Sequence, residues 1–142
     1  MQLMPDPAFE AAIAEWSTPQ QWRAREVRAA IAASGADLRE WVNDGPWMTG
    51  YVYYGVGDDM VAAIGPTAKD SVSVHLMPFY GSPVLRERHA ADLDPFVSGK
   101  SCLRFRPTDT FPAATVTGVV DATPAYLDVV AAFRAAREKK KR

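Results

Sequence analysis

The stretch Ser71-Val72-Ser73-Val74-His75-Leu76-Met77 alternates without a break. Val72, Val74 and Leu76 fall on one side of an extended chain; Ser71, Ser73, His75 and Met77 fall on the other, because successive strand side chains point to opposite faces. A strand that is apolar on one side needs a layer over that side and tolerates water on the other. Working backwards, residues 60–64 read as a second strand, joined to the first through the polar turn 65–70 with its Pro66. Residues 47–54, rich in aromatic and β-branched side chains, read as a third. The run Gly55-Val56-Gly57-Asp58-Asp59 is the hairpin connection between them. Three consecutive strands on short links predict an antiparallel meander. Downstream, residues 101–106 alternate again, with Ser101, Leu103 and Phe105 facing one way and Cys102, Arg104 and Arg106 the other.

The flanks have a helical rhythm. Asp6-Pro7 is a helix start, followed by Phe9, Ile13 and Trp16 at i, i+4, i+7. Thr18-Pro19 repeats the signal and leads a stripe of Ala24, Val27, Ala30, Ile31 and Ser34, with Gly35 as the stop. Trp22 falls off that stripe and is expected against the first helix. Asp37-Leu38-Arg39-Glu40 resembles a capping box and predicts a short third helix with Leu38, Trp41 and Val42 on its apolar face. Ser82-Pro83 starts another helix, with Leu85, His89, Leu93 and Phe96 near one side. Phe111-Pro112 opens a segment with Val116, Val119 and Val120 at helical spacing, although its threonines and glycine leave a strand open as the alternative. Thr123-Pro124 starts the last helix, in which Tyr126, Val130 and Phe133 share a side. Segregated runs of this kind predict an α+β domain in two layers: an antiparallel sheet of four to five strands with helices on one face.

Composition sets the frame. The chain has 142 residues, 48% apolar and 23% charged, with a net charge of −1. Disordered, collagen-like and coiled-coil chains are excluded, and no global charge calls for nucleic acid or a membrane. The length suits one domain, residues 1–142, with a core of about 19–121 and a C-terminal helix over 124–138 ending in a basic tail. In that tail Arg134, Arg137, Lys139, Lys140, Lys141 and Arg142 stand against Glu138, where cations suit the negative pole of a helix end. No signal peptide is evident and the apolar runs are too short to span a bilayer. Cys102 is the only cysteine and cannot form an internal disulfide, which fits a reducing, cytoplasmic compartment.

Motifs for chemistry are sparse. Gly99-Lys100-Ser101 looks like the end of a phosphate loop, but the required glycine five residues before Gly99 is Asp94, and a strand rather than a helix follows. No nucleophile elbow occurs. His75 sits mid-strand opposite the apolar positions, and His89 lies in a helical stripe. For metals, His89 and Asp92 are i, i+3 and could share an ion, and Asp58 and Asp59 are adjacent in a turn, where acids are common for conformational reasons alone. Lys100, Arg104 and Arg106 share one strand face at period two. Such a row of like charges is costly unless water, acids or an anion lies beside it. If His75 shares that face, the result is a shallow anion-binding surface; otherwise it is an open sheet face whose cations discourage edge pairing. The tryptophans at 16, 22, 41 and 47 are mostly expected in the core. Trp47, Tyr51 and Tyr53 share one parity and are the candidates for lining a ligand pocket or a dimer contact.

The run Ser98-Gly99-Lys100-Ser101-Cys102-Leu103-Arg104-Phe105-Arg106 resembles the glycine-lysine signature of the YdhG-like domain-of-unknown-function family. The aromatic strand around residues 48–54, the pattern Lys69 … Ser73-Val74-His75-Leu76 and Phe111-Pro112 occur in the family's order, over roughly residues 19–120. The family's glycine after the lysine is Ser101 here. The resemblance implies a two-layer α+β fold similar to secretion chaperones. It transfers no residue roles to His75, Lys100 or Arg104. Some members are described as frataxin-like intracellular iron chaperones, a role that calls for clustered exposed carboxylates; Asp58, Asp59, Asp92 and Asp94 supply the close pairs. The expectation is therefore a small cytoplasmic binding or interaction domain rather than an enzyme, with a small-molecule ligand or a homodimer as partner. No cofactor is expected, with iron the one metal to test. The alternatives are an iron-binding chaperone, and an enzyme or binder acting on a small anion through His75, Lys100 and Arg104.

Overall fold

The computed structural model describes residues 1–99, 101–123 and 127–140. Helices α1 (Asp6–Ala12) and α2 (Thr18–Ala32) come first, then strands β1 (Arg39–Val42), β2 (Val52–Val56), β3 (Asp59–Pro66) and β4 (Val72–Leu76). Short helices α3 (Met77–Gly81), α4 (Pro83–Arg88) and α5 (Ala90–Leu93) follow, then a 3-10 turn (Asp94–Phe96). Strands β5 (Val97–Ser98) and β6 (Cys102–Phe105), and helices α6 (Ala113–Asp121) and α7 (Leu127–Lys140), complete the order. The strands form one antiparallel sheet in the order β1-β2-β3-β4-β6-β5. The architecture is α+β, with six strands where four to five are expected from sequence.

The two additional strands arise from cross-strand pairing. Residues 39–42, expected as a helix, are β1: Trp41 and Val42 suit a pleated surface, and the strand registers Trp41 on Tyr53 and Val42 on Val52. The capping pattern before it is outweighed by tertiary pairing. Strand β5 is a two-residue hairpin partner of β6 and has no sequence signal of its own. The aromatic strand is also shorter than expected. Residues 47–50 form a turn, with left-handed backbone at Met48 (φ 54°) and Gly50 (φ 84°), and β2 begins at Val52. Helix α2 is capped one residue before the Thr18-Pro19 signal: Ser17 accepts from the Gln20 amide, and the Gln20 side chain accepts from the Ser17 amide. The helix expected after Ser82-Pro83 is broken into α4, α5 and the 3-10 turn, with Ser82 capping the first piece. Residues 113–121 are helical, which settles the open helix-or-strand alternative there. The start expected at Thr123-Pro124 falls on residues 124–126, which lie outside the described residues.

One sheet face carries the core. Val52, Tyr54, Ala62, Ile64, Val72, Val74, Leu76, Leu103 and Phe105 are buried there under Val27 and Ile31 of α2 and Val116, Val119 and Val120 of α6. Each aliphatic side chain buried in this way contributes about 1.5–3 kcal/mol. A charged group also lies within the core. The Glu40 carboxylate, fully buried, accepts from Arg28 Nε (2.9 Å) and Nη2 (2.9 Å), from the Tyr54 hydroxyl and from the Met4 amide (2.9 Å). Arg28 also reaches the Met4 carbonyl and Asp6 (both 2.8 Å) and stacks on the Phe9 ring. This network ties the first residues of the chain to α2, β1 and β2. It holds residues 1–4 along the outer side of β1, where the Gln2 amide donates to the Leu38 carbonyl and the Glu40 amide donates back to Gln2.

The second face bears a different row. Trp41, Tyr53, Ala63 and His75 lie side by side across β1 to β4. Helix α7 contacts β3 and α3, and its Arg137 guanidinium lies 5.0 Å from the Trp47 ring centroid. The tryptophans are not mainly core residues: Trp22 is 65% and Trp47 is 54% exposed, and Trp22 is not buried against α1.

Candidate functional site

A cleft of about 630 Å³ opens on the second face, between the β1–β2 end of the sheet and the C-terminal end of α7. Its walls are aromatic: Trp41, Trp47 and Tyr53. Trp41 and Tyr53 meet edge to face at 5.6 Å, as their cross-strand register requires. Trp47 comes from the turn before β2, and Asn43 positions it. The Asn43 side-chain amide donates to the Trp47 and Met48 carbonyls, and its backbone pairs with Gly50 and Tyr51. The Tyr53 hydroxyl also donates to the Trp47 carbonyl, at 3.3 Å. Burial pushes the Tyr53 phenol up; Arg137 pulls it back and Tyr51 adds a smaller upward push.

Cations surround these rings. Arg39 stacks on Trp41 at 4.0 Å and donates to the Gly57 carbonyl, while Arg137 covers Trp47. Lys140, one helical turn beyond Arg137, lines the same space, and Asp58 at the hairpin tip is the carboxylate among the lining residues. Flat apolar walls with guanidinium groups at the rim suit a ligand that has a planar body and an anionic group.

Of the residues singled out from sequence, Trp47, Tyr53 and Asp58 come together here. The sequence pattern does not single out Arg39, Trp41, Asn43, Arg137 and Lys140 as lining one site. The usable signals were the shared parity of Trp41 with Arg39 once β1 is known to be a strand, and the i, i+3 spacing of Arg137 and Lys140. Tyr51 lies deeper on the same face, its ring seated directly on Gly65 and 6.1 Å from the His75 ring. Burial raises its phenol, with Cys102 adding to the effect.

The expected basic row is only partly assembled. Lys100 lies outside the described residues. Arg104 shares the His75 face, registered against Ser73, and donates from Nη2 to the Ala68 carbonyl at 3.0 Å; its buried Nε has no hydrogen-bond partner. Arg106 falls beyond the end of β6, exposed, with its amide on the Asp109 carboxylate. His75 is buried, and desolvation pushes its imidazole below the ordinary value, opposed by the Ser101 backbone, which favours the charged ring.

The metal candidates are dispersed. Asp58 stands at the tip of the β2–β3 hairpin and Asp59 begins β3. His89 joins α4 to α5, its imidazole held down by burial and by Arg88 against Asp92. Asp92 accepts from the Thr115 hydroxyl at 2.8 Å. Among the described residues, no group of three or more His, Cys, Asp or Glu side chains is arranged to hold a metal ion.

No helix among the described residues is long and apolar enough to cross a membrane. No protein-family model matches the chain, and no curated protein matches it in sequence. Among solved structures it is similar to the DUF1801-family protein YdhG of Bacillus subtilis. The two superpose with a TM-score of 0.61 over 84% of this chain and 89% of that one, at 13% identity. At that identity the likeness concerns architecture, and it agrees with what residues 98–106 imply: the chain has the fold of a YdhG-like α+β domain.

Proposed function

We propose that this domain is a non-catalytic binder of a small anion with a flat apolar body, taken up in the cleft between β1–β2 and α7. The supporting observation is the joining of three aromatic rings with Arg39, Arg137 and Lys140 in one concave space. The rings supply dispersion and apolar contact, and the cations supply charge-assisted hydrogen bonds. That local positive charge sits on a chain whose net charge is −1, so it favours anions at the cleft alone. Asp58 at the rim disfavours ligands with negative charge on that side.

The test is a titration of 1-naphthalenesulfonate followed by tryptophan fluorescence and calorimetry. Its neutral counterpart 1-naphthalenemethanol and inorganic sulfate serve as comparisons. The sulfonate should bind saturably and more tightly than either. Trp47→Ala and Arg137→Ala should each weaken it about tenfold, a loss of ~1.4 kcal/mol. Equal binding of the neutral compound, or binding unchanged in both variants, overturns the reading. Ferrous iron in the same calorimeter tests the metal-chaperone alternative that the family resemblance carries.

A further inference from the structure

Away from the cleft, the second sheet face brings a thiol against an imidazole. One position beyond the Val74–Leu103 pair, His75 of β4 faces Cys102 of β6, and Cys102 Sγ lies 3.5 Å from His75 Nε2. Ser73 Oγ approaches the same nitrogen at 3.5 Å. The imidazole is buried, while Cys102 itself is part-exposed. The strand carrying the thiol is fixed in turn, because the Tyr80 hydroxyl donates to the Cys102 carbonyl at 2.6 Å. A nucleophile within reach of a base is the arrangement that activates a side chain for covalent chemistry. Arg104 adds charge selection. It stands two residues along β6 on the same face, and its buried Nε–H has no acceptor.

We propose that Cys102 is a base-assisted thiol that forms mixed disulfides with small anionic disulfides. In the step, the Cys102 S–H proton passes to His75 Nε2 and the thiolate attacks one sulfur of the incoming disulfide. A Cys102 S–S bond forms, the original S–S bond breaks, and the imidazolium gives its proton to the departing thiolate or, where that thiolate is a weak base, to water. Cys102 is oxidised to the mixed disulfide and half of the reagent is reduced to thiol. Arg104 favours reagents that carry carboxylates. The pairing is independent of the cleft and needs no ligand there.

The probe is dithiobis-nitrobenzoate, a dianion whose released thiolate is coloured, with cationic cystamine as the comparison reagent. An ordinary thiol is only ~3% ionised at pH 7, which leaves room for up to ~30-fold acceleration. Native Cys102 should react about tenfold faster with the dianion than the same chain unfolded in urea. This comparison needs no variant. His75→Gln should remove the acceleration for both reagents. Arg104→Met should keep the cystamine rate and slow the dianion. Mass spectrometry should show the nitrobenzoate adduct on Cys102. A native rate at or below the unfolded rate, or full acceleration in a folded His75→Gln chain, overturns the proposal.

Discussion

Replacing Glu40 by leucine removes the acceptor of four hydrogen bonds at once, at a position whose side chain is 0% exposed. Leucine fits the volume, so the loss is electrostatic rather than a cavity. Arg28, itself only 12% exposed, keeps Asp6 and the Met4 carbonyl but loses its bidentate partner. The Tyr54 hydroxyl and the Met4 amide lose their acceptor. Breaking a buried pair from one side costs about 3–5 kcal/mol. With a urea m-value of ~2 kcal/mol/M for a chain of this size, the unfolding midpoint should fall by about 2 M. The assay is urea unfolding followed by tryptophan fluorescence and far-ultraviolet circular dichroism. The double change Arg28→Met with Glu40→Leu should recover most of the loss, because neither charge is then stranded. A loss below about 1 kcal/mol for Glu40→Leu alone, or a double variant as unstable as the single, would show that the network is not what anchors this corner of the fold.

Three further outcomes follow. Gly65→Ala places a Cβ 2.1 Å from the Tyr51 ring; it should lower stability by about 1–3 kcal/mol in urea melts, and Tyr51→Ala in the same chain should restore part of it. His75 has a folded-state value below that of the unfolded chain, so its contribution to stability is complete above the ordinary 6.5 and is lost as pH falls through the folded-state value; its ring proton resonance should titrate below the ordinary histidine midpoint, and His75→Gln should flatten the acid side of the stability profile. Leu103→Ala, at a wholly buried position, should cost about 2–5 kcal/mol, whereas Trp47→Ala, more than half exposed, should leave the unfolding free energy within about 0.5 kcal/mol of the parent.

Residues 72–76 and 102–105 were legible because an apolar side chain at every second position imposes a period of two that no helix shares, even though β4 is buried on both faces. Val72, Val74, Leu76, Leu103 and Phe105 all lie in the core as the alternation requires. Strand β1 was not legible. Its buried inward residue is Glu40, and a carboxylate at a core position breaks the apolar pattern; the compensating Arg28 lies on α2, twelve residues earlier, where no local signal links the two. The cleft was half legible. Trp47 and Tyr53 stand out by residue type, but Trp47 reaches the site from a left-handed turn rather than from a strand, and Arg137 arrives from the far end of the chain. The neighbourhood of His75 and Cys102 depends on the pairing of β4 with β6, which skips β5 and is settled only when the sheet order is known.

Residues 1–4 occupy the outer rim of β1, and the opposite rim of the sheet is a strand of only two residues. Both borders are thus closed to a passing chain, one by a clasp and the other by brevity. Clipping the first four residues would bare a row of backbone donors and acceptors on β1 and, at the same stroke, strip the buried carboxylate of its amide partner. The trimmed protein would gain a template for strand exchange while losing the brace that keeps that template in place, so self-association would rise steeply with concentration.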